Sequence, residues 1–269
     1  MIVPTRGISR ELKDAPAHVD ARGGALGRPM RLLATTTSTS DEAKRAAKQD
    51  APHGATWVAE EQTAGRGRQG RSWWAPAGES LLFSVLVRYA YPPARLPQIA
   101  LLAGLAVFDA VAKAAPAAKV QLKWPNDVLV DGKKIGGVLV EAITSGARVE
   151  AVVIGVGVNV HTRVFPPAIA ERSTSIALAG GPGAATPDRG VVLADTLAGI
   201  DHDLHVVAAR GLSLLRARLE AGDVLRGRRV RSDGGDEGVG TGIDDEGRLL
   251  IRRDDGRIVP WVAGEVHLV

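Results

Sequence analysis

Residues 120–160 read VQLKWPNDVLVDGKKIGGVLVEAITSGARVEAVVIGVGVNV. Asp131-Gly132 and Ser145-Gly146 are tight-turn dipeptides set between apolar, β-branched runs. Parallel neighbours need a crossover of about a dozen residues or more, and these turns leave no room for one. The runs Val120–Trp124, Asp127–Val130, Ile135–Glu141 and Val149–Val160 should therefore be strands, with the turns joining antiparallel neighbours. The fold class is α+β, not a doubly wound parallel sheet.

Upstream, Ile99, Leu102, Ala106, Val107 and Val111 recur at helical spacing and predict a long buried helix over Pro97–Ala115. Leu81–Tyr89, Thr56–Ala59 and Arg31–Thr36 read as strands. Thr39-Ser-Asp-Glu42 has capping-box spacing and should start a helix running to about Lys48. Residues 1–29 hold Pro, Gly and charges with no clear period, as a loose arm or short edge element would. Downstream, Val164–Arg189 is Pro-, Gly- and Ala-rich and reads as a long loop with a short Ser-Ile-Ala-Leu element, followed by a helical region over Val191–Leu219. After a boundary at Gly222–Arg228 come five short strands separated by Gly/Asp turns: Arg229–Ser232, Gly238–Ile243, Leu249–Arg252, Ile258–Trp261 and Val266–Val269. That spacing predicts a small β-barrel. The expected division is an arm over 1–29, a main domain over 30–222 and a barrel over 223–269.

Composition narrows the classes. The 269 residues are 45% apolar and 24% charged, as in an ordinary globule. Zero cysteines exclude disulfides and thiolate zinc sites. No apolar run reads as membrane-spanning and no signal-peptide core is visible, so a cytoplasmic protein without membrane partners is expected. The net charge is only +4, and aromatics are 4% of residues. A nucleic-acid binder using basic loops would want clustered charge and stacking platforms. His202 and His205 stand three apart on a predicted helix, where a solvated face outweighs a metal pair.

The chemistry concentrates in Gly65-Arg-Gly-Arg-Gln-Gly-Arg-Ser-Trp73. Glycines permit close backbone approach, and arginines supply permanently charged forks that match phosphate or carboxylate. Such a loop can close over an anion, or be a solvated basic turn. Asn126-Asp127 offers the oxygen donors that magnesium prefers, or an Asx-bonded turn. Thr39 is either a helix cap or a ligand contact.

Lys123-Trp-Pro-Asn-Asp127, Gly132-Lys-Lys-Ile-Gly-Gly-Val-Leu-Val-Glu141, Gly155-Val-Gly-Val-Asn159, Ser38-Thr39 and Glu61-Gln62 complete the pattern. Together with the Gly/Arg loop, and from about Gly27 to the C-terminus, they resemble the biotin–protein ligases, in the monofunctional form without an N-terminal DNA-binding domain. The resemblance implies a catalytic domain like that of class II aminoacyl-tRNA synthetases, with a mixed, largely antiparallel sheet and an SH3-like C-terminal barrel. It implies ATP-dependent formation of biotinoyl-AMP and transfer of biotin to a lysine of a biotin carboxyl carrier domain of a biotin-dependent carboxylase, with Mg²⁺ as cofactor. Arg68 and Lys134 match the residues acting at the reacting carboxylate and phosphate. Ser38, Thr39, Gln62, Gly65, Arg66, Gly137 and Leu139 join them around biotin. Arg71, Trp73, Asn126, Asp127 and Asn159 fall on the ATP side, with Asp127 as magnesium ligand. The family's Ser-Thr-Asn is here Ser38-Thr39-Ser40, which leaves contacts at position 40 open. A monomer or weak homodimer without specific DNA binding is expected. A lipoate or octanoate ligase of the same superfamily, and a nucleic-acid-binding regulator, are the alternatives.

Overall fold

The computed structural model describes residues 7–88, 95–146, 148–181, 185 and 187–269. Residues 1–6 of the expected arm, the end of the expected strand at Tyr89, and 182–184 and 186 of the expected loop lie outside these. The main sheet has seven strands: β1 (Met30–Thr36), β2 (Thr56–Gln62), β3 (Ser80–Val87), β4 (Val120–Lys123), β5 (Asp127–Val130), β6 (Lys133–Ser145) and β7 (Arg148–Asn159). Their order is β1-β2-β3-β7-β6-β5-β4. Only β1 and β2 pair in parallel; the other neighbours are antiparallel. The hairpin reading of 120–160 holds: Asp131 and Gly132 both take positive φ, 49° and 77°, as a two-residue hairpin turn requires.

Strand alternation divides the apolar side chains between two faces. Val85, Val87, Val152 and Ile154 enter the main core, under helices α1 (Arg10–Arg22), α3 (Leu96–Ala114) and α6 (Arg189–Arg210). Leu86, Ala151 and Val153 face the other way and meet Ala43 and Ala47 of α2 (Thr39–Ala47), in a second, smaller cluster. Two short helices, α4 (Pro167–Ala170) and α5 (Ile176–Ala179), lie in the loop after β7, and α7 (Arg216–Gly222) follows α6. Ser175 caps α5, so the short Ser-Ile-Ala-Leu element is present.

Three expectations change. The segment read as a loose arm contains α1, capped by Ser9, with Leu12, Ala15 and Val19 buried in the main core. The helical spacing Ile8, Leu12, Ala15, Val19 was legible, but Pro16 and Gly23-Gly24 obscured it. The capping box at Thr39 does not form: Ser38 is the N-cap residue, Thr39 is already helical, and Glu42 accepts from the Thr36 hydroxyl instead. Finally, α3 is long and apolar enough to cross a membrane by length and composition, with mean hydropathy 1.5 over a window. Its apolarity belongs to a core helix packed between the sheet and α6.

The C-terminal strands β8 (Arg229–Ser232), β9 (Glu237–Ile243), β10 (Leu249–Arg252), β11 (Ile258–Trp261) and β12 (Val266–Leu268) form an antiparallel sheet in the order β11-β10-β9-β8-β12. Its apolar side chains are continuous with the main core. Val230, Leu249, Ile251 and Val266 belong to the main core cluster. The boundary segment pairs with the main sheet through Val224 N–H to Leu122 O, 3.0 Å. The buried Trp124 donates to Gly247 O at 3.0 Å.

Candidate active site

On the α2 face the middle strands lose their side chains beyond the helix. Directly opposed residues of antiparallel strands share a face. One row runs Ala59, Leu82, Gly157, Gly137, Asp127; the next runs Trp57, Ser84, Gly155, Leu139. The glycines open a cleft of about 120 Å³, walled by α2, the Gly65–Trp73 segment and the turn before β5. A Cβ on Gly157 would lie 2.6 Å from the Trp73 indole, and one on Gly155 2.7 Å from Ser40 Oγ. Each glycine of Gly-Val-Gly-Val-Asn thus makes room for a named neighbour.

Lys134 reaches this face through an irregularity. Strict alternation would put Lys134 and Gly137 on opposite faces. The register of β6 against β5 shifts so that Val128 opposes Gly136 and Leu129 opposes Lys134, leaving Ile135 as an extra residue. This bulge resets the parity. Lys134 and Gly137 both line the cleft, while Lys133 points to solvent. Lys134 Nζ lies 2.6 Å from Asp127 Oδ1 and 5.6 Å from the centre of the Trp73 ring.

The Gly/Arg segment is a narrow hairpin. Trp73 N–H donates to Gly65 O at 2.9 Å, Gly67 N–H to Arg71 O at 2.6 Å, and Arg71 N–H to Arg68 O at 3.1 Å. The tip residues Gln69 and Gly70 have φ of 55° and 74°, both in the left-handed region. Its three arginines have different partners. Arg68 donates to Asn126 Oδ1 at 3.0 Å across the cleft. Arg66 is held by Asp41 and Glu141 at 2.9 and 3.0 Å. Arg71 pairs with Glu265 from the C-terminal sheet's last turn, and that hydrogen bond pushes its guanidinium further up, so it stays charged. Arg68 is therefore the arginine without a carboxylate partner among the described ion pairs.

The floor beside α2 is polar. Gln62 Oε1 accepts from Thr39 N–H at 2.7 Å and from Thr39 Oγ1 at 3.0 Å. Ser84 Oγ lies 2.8 Å from Thr39 Oγ1 and 3.0 Å from Ser40 Oγ. Ser40, at the position where the family has Asn, is thus buried in this network. Asn126 is fixed by its Nδ2 on Val138 O at 2.7 Å.

Of the residues expected at the site, Ser38, Thr39, Gln62, Arg66, Arg68, Arg71, Trp73, Asn126, Asp127, Lys134, Gly137 and Leu139 all line the cleft. Two do not. Gly65 closes the base of the hairpin, where a Cβ would meet Trp73 O at 2.7 Å. Asn159 is buried at the strand end with its amide donating to Thr174 O at 2.9 Å. Sequence reasoning missed Ser84 and Glu265. Ser84 is a polar residue in the middle of an apolar strand, which was a signal; Glu265 sits in a tail with no motif around it. His202 and His205 are exposed on α6, as expected of a solvated face.

Residues 32–159 match the biotin/lipoate A/B protein ligase family, and residues 227–269 match the biotin protein ligase C-terminal domain. The chain is 38% identical over 255 residues to the biotin–acetyl-CoA-carboxylase ligase of Mycobacterium tuberculosis, covering 91% of each. It is 34% identical to the bifunctional ligase/repressor BirA of Bacillus subtilis, over 91% of this chain and 76% of that protein. Biotin protein ligase from Aquifex aeolicus, solved with biotin and ATP, superposes with a TM-score of 0.76 at 30% identity, covering 89% of this chain and 98% of that one. With the motifs in order around one glycine-floored cleft, the chain belongs to the biotin–protein ligase family.

Proposed function

We propose that this chain is an ATP-dependent ligase that joins biotin to AMP and then passes biotin to a lysine of a carrier protein. The observation that carries the reading is the convergence of Arg68 and Lys134, from two different elements, on one glycine-floored cleft. In the first step a biotin carboxylate oxygen attacks the α-phosphorus of ATP. The bond to the bridging oxygen breaks, and its electrons leave with pyrophosphate. Both reactants are anions, so placing fixed cations around them lowers the barrier by alignment and charge stabilisation. Lys134 sits between the two sides of the cleft, and Arg68 closes over it from the hairpin. In the second step the carrier lysine's amine attacks the acyl carbon and AMP leaves. No protein nucleophile is required.

The polar floor of Thr39, Gln62 and Ser84 suits the ureido ring of biotin, and Leu139 and the glycine rows suit its apolar part. Trp73 Nε1 is buried without a partner among the described residues, and its ring lies under Lys134, which supports an adenylate contact. Among the described residues no group of three or more His, Cys, Asp or Glu could hold a metal. Magnesium binds phosphates together with one or two carboxylates, so Asp127, with Asn126 beside it, fits an ion that arrives with ATP and neutralises its phosphates.

We place the carrier lysine on a carboxyl carrier domain of a biotin-dependent carboxylase. We also take the enzyme to be a cytoplasmic monomer or weak homodimer without specific DNA binding. ATP–pyrophosphate exchange, run in parallel with biotin, lipoate and octanoate and without any carrier, tests the core reading. Biotin alone should drive exchange; exchange with lipoate but not biotin would overturn it. Titration with random and promoter duplexes at two salt concentrations should find only weak binding that salt abolishes.

A further inference from the structure

Glu141 ends the Gly-Lys-Lys motif, yet it does not line the cleft. Its row of the sheet, opposite Val153, is the next one beyond the Leu139–Gly155 row on the α2 face. There it completes a ring of four charges. Glu141 Oε1 is 2.9 Å from Lys44 Nζ, and Glu141 Oε2 is 3.0 Å from Arg66 Nη2. Asp41 Oδ1 closes the ring, 2.9 Å from Arg66 and 3.5 Å from Lys44. Two cations alternate with two carboxylates, so the ring carries no net charge. Asp41 and Lys44 come from α2, Glu141 from β6 and Arg66 from the hairpin. These elements form three walls of the cleft: α2 with its N-cap residue brings Ser38 and Thr39, β6 brings Lys134 and Leu139, and the hairpin brings Arg68 and Trp73.

We propose that Glu141, with Asp41, is a positioning residue that anchors the base of the Gly65–Trp73 hairpin and so sets how long the reactive adenylate is held. A two-stranded hairpin is marginal on its own. This one has a tip with two left-handed residues, and Arg68 at its shoulder donates to the uncharged amide of Asn126 and has no carboxylate partner among the described ion pairs. Arg66 is two residues from Arg68 and pairs across the hairpin with Ser72. Holding Arg66 from two sides therefore holds Arg68 over the cleft. A ligand's apparent affinity scales with the fraction of protein in the competent state. Weakening the anchor raises the open fraction and with it the escape of the intermediate, while the groups at the reacting atoms stay unchanged.

This inference rests on the ligase reading for its kinetic arm and on the free protein for its structural arm. The variants are Glu141→Gln and Glu141→Asp in the full chain, with Asp41→Asn replacing the first if it does not fold. Glu141→Gln should release biotinoyl-AMP about three- to tenfold faster, the factor produced by about 0.7–1.4 kcal/mol of lost anchoring. Single-turnover adenylate formation should stay within about twofold of wild type, and the thermal midpoint should hold. Glu141→Asp, which keeps the carboxylate, should restore much of the retention. Salt near ~1 M, where the screening length is about 3 Å, should speed release from wild type more than from Glu141→Gln. Hydrogen exchange over residues 65–73 in the ligand-free protein should quicken in Glu141→Gln. Unchanged release and unchanged exchange would overturn the anchoring role. Failure of wild type to exchange pyrophosphate with biotin would instead count against the ligase reading, and exchange over 65–73 would still decide the anchor.

Discussion

On the proposed roles, truncating Arg68 should impair holding of the intermediate and truncating Lys134 should impair making it. Arg68→Ala removes a charge-assisted contact worth roughly 1.5–3 kcal/mol in a closed site. Adenylate should leak and label bystander lysines, which a tagged-biotin labelling assay detects; tight retention would remove Arg68 from this role. Lys134→Ala should slow adenylate formation itself in single-turnover experiments. Gly157→Ala is a steric test: its Cβ would stand 2.6 Å from Trp73, so the indole must move. A raised KM for ATP and a shifted tryptophan emission, with the fold retained, are expected. Away from the cleft, buried Arg189 joins Glu11 and Glu60 at 2.7 and 2.8 Å. Removing one partner of a buried pair costs about 3–5 kcal/mol, which urea unfolding of Arg189→Met should show. Burial raises the Glu60 pKa, but hydrogen bonds from Ser9 and Arg189 and the Arg189 charge outweigh it, and the carboxyl sits below its ordinary value. Its stabilising contribution is therefore complete above the unfolded value of about 4.3 and is lost as pH falls below that through the folded value. The pH dependence of unfolding below about 4 should be shallower in Glu60→Gln than in wild type.

Two irregular elements carry the site. The bulge at Ile135 decides which face Lys134 occupies, because a one-residue slip exchanges the two faces of a strand. The hairpin decides where Arg68 ends. Its strands are joined by few hydrogen bonds and its tip is exposed, so local opening should be frequent even though the turn is formed without ligand. Hydrogen exchange over residues 65–71 should slow when biotin or its adenylate binds. Equal protection in both states would mean that the hairpin is rigid throughout.

Across the whole molecule, the C-terminal sheet and the main sheet share one core. Leu225, Val230, Leu249, Ile251 and Val266 are buried in the same cluster as α3 and β6 side chains. Trp124 and Gln98 donate to the loop joining β9 and β10, and Glu265 reaches the cleft to hold Arg71. Unfolding of the intact chain should be a single cooperative transition in calorimetry. A chain ending at Gly222 should lose this transition or melt far lower, since it exposes apolar surface at roughly 25 cal/mol per Å². Two separate transitions, with the shortened chain as stable as the first, would contradict a shared core.

Local chemistry alone sufficed for much of this. Asp-Gly and Ser-Gly turns between β-branched runs settled the antiparallel hairpins, helical spacing settled α3, and Gly/Asp turns at short intervals settled the five C-terminal strands within a residue or two. Motif order placed most of the cleft, because Arg68, Asn126, Asp127 and Lys134 lie in segments whose composition already pointed to anions. The rest depends on contacts between distant segments. Alternation counted along β6 cannot reveal that Ile135 is an extra residue, since a bulge exists only relative to the partner strand. Thr39 looked like a cap because Thr-x-x-Glu is a local pattern, but Gln62 and Ser84 claimed its side chain from two other strands. Asn159 is held at the strand end, outside the cleft, by Thr174, and Arg66 lines the cleft while paired with Asp41 and Glu141. Glu265 entered the cleft from the far end of the chain. Periodicity and turn chemistry act over a few residues and survive in a one-dimensional reading. Which partner a polar side chain finds is decided only when the folded chain brings donors and acceptors within about 3 Å of one another.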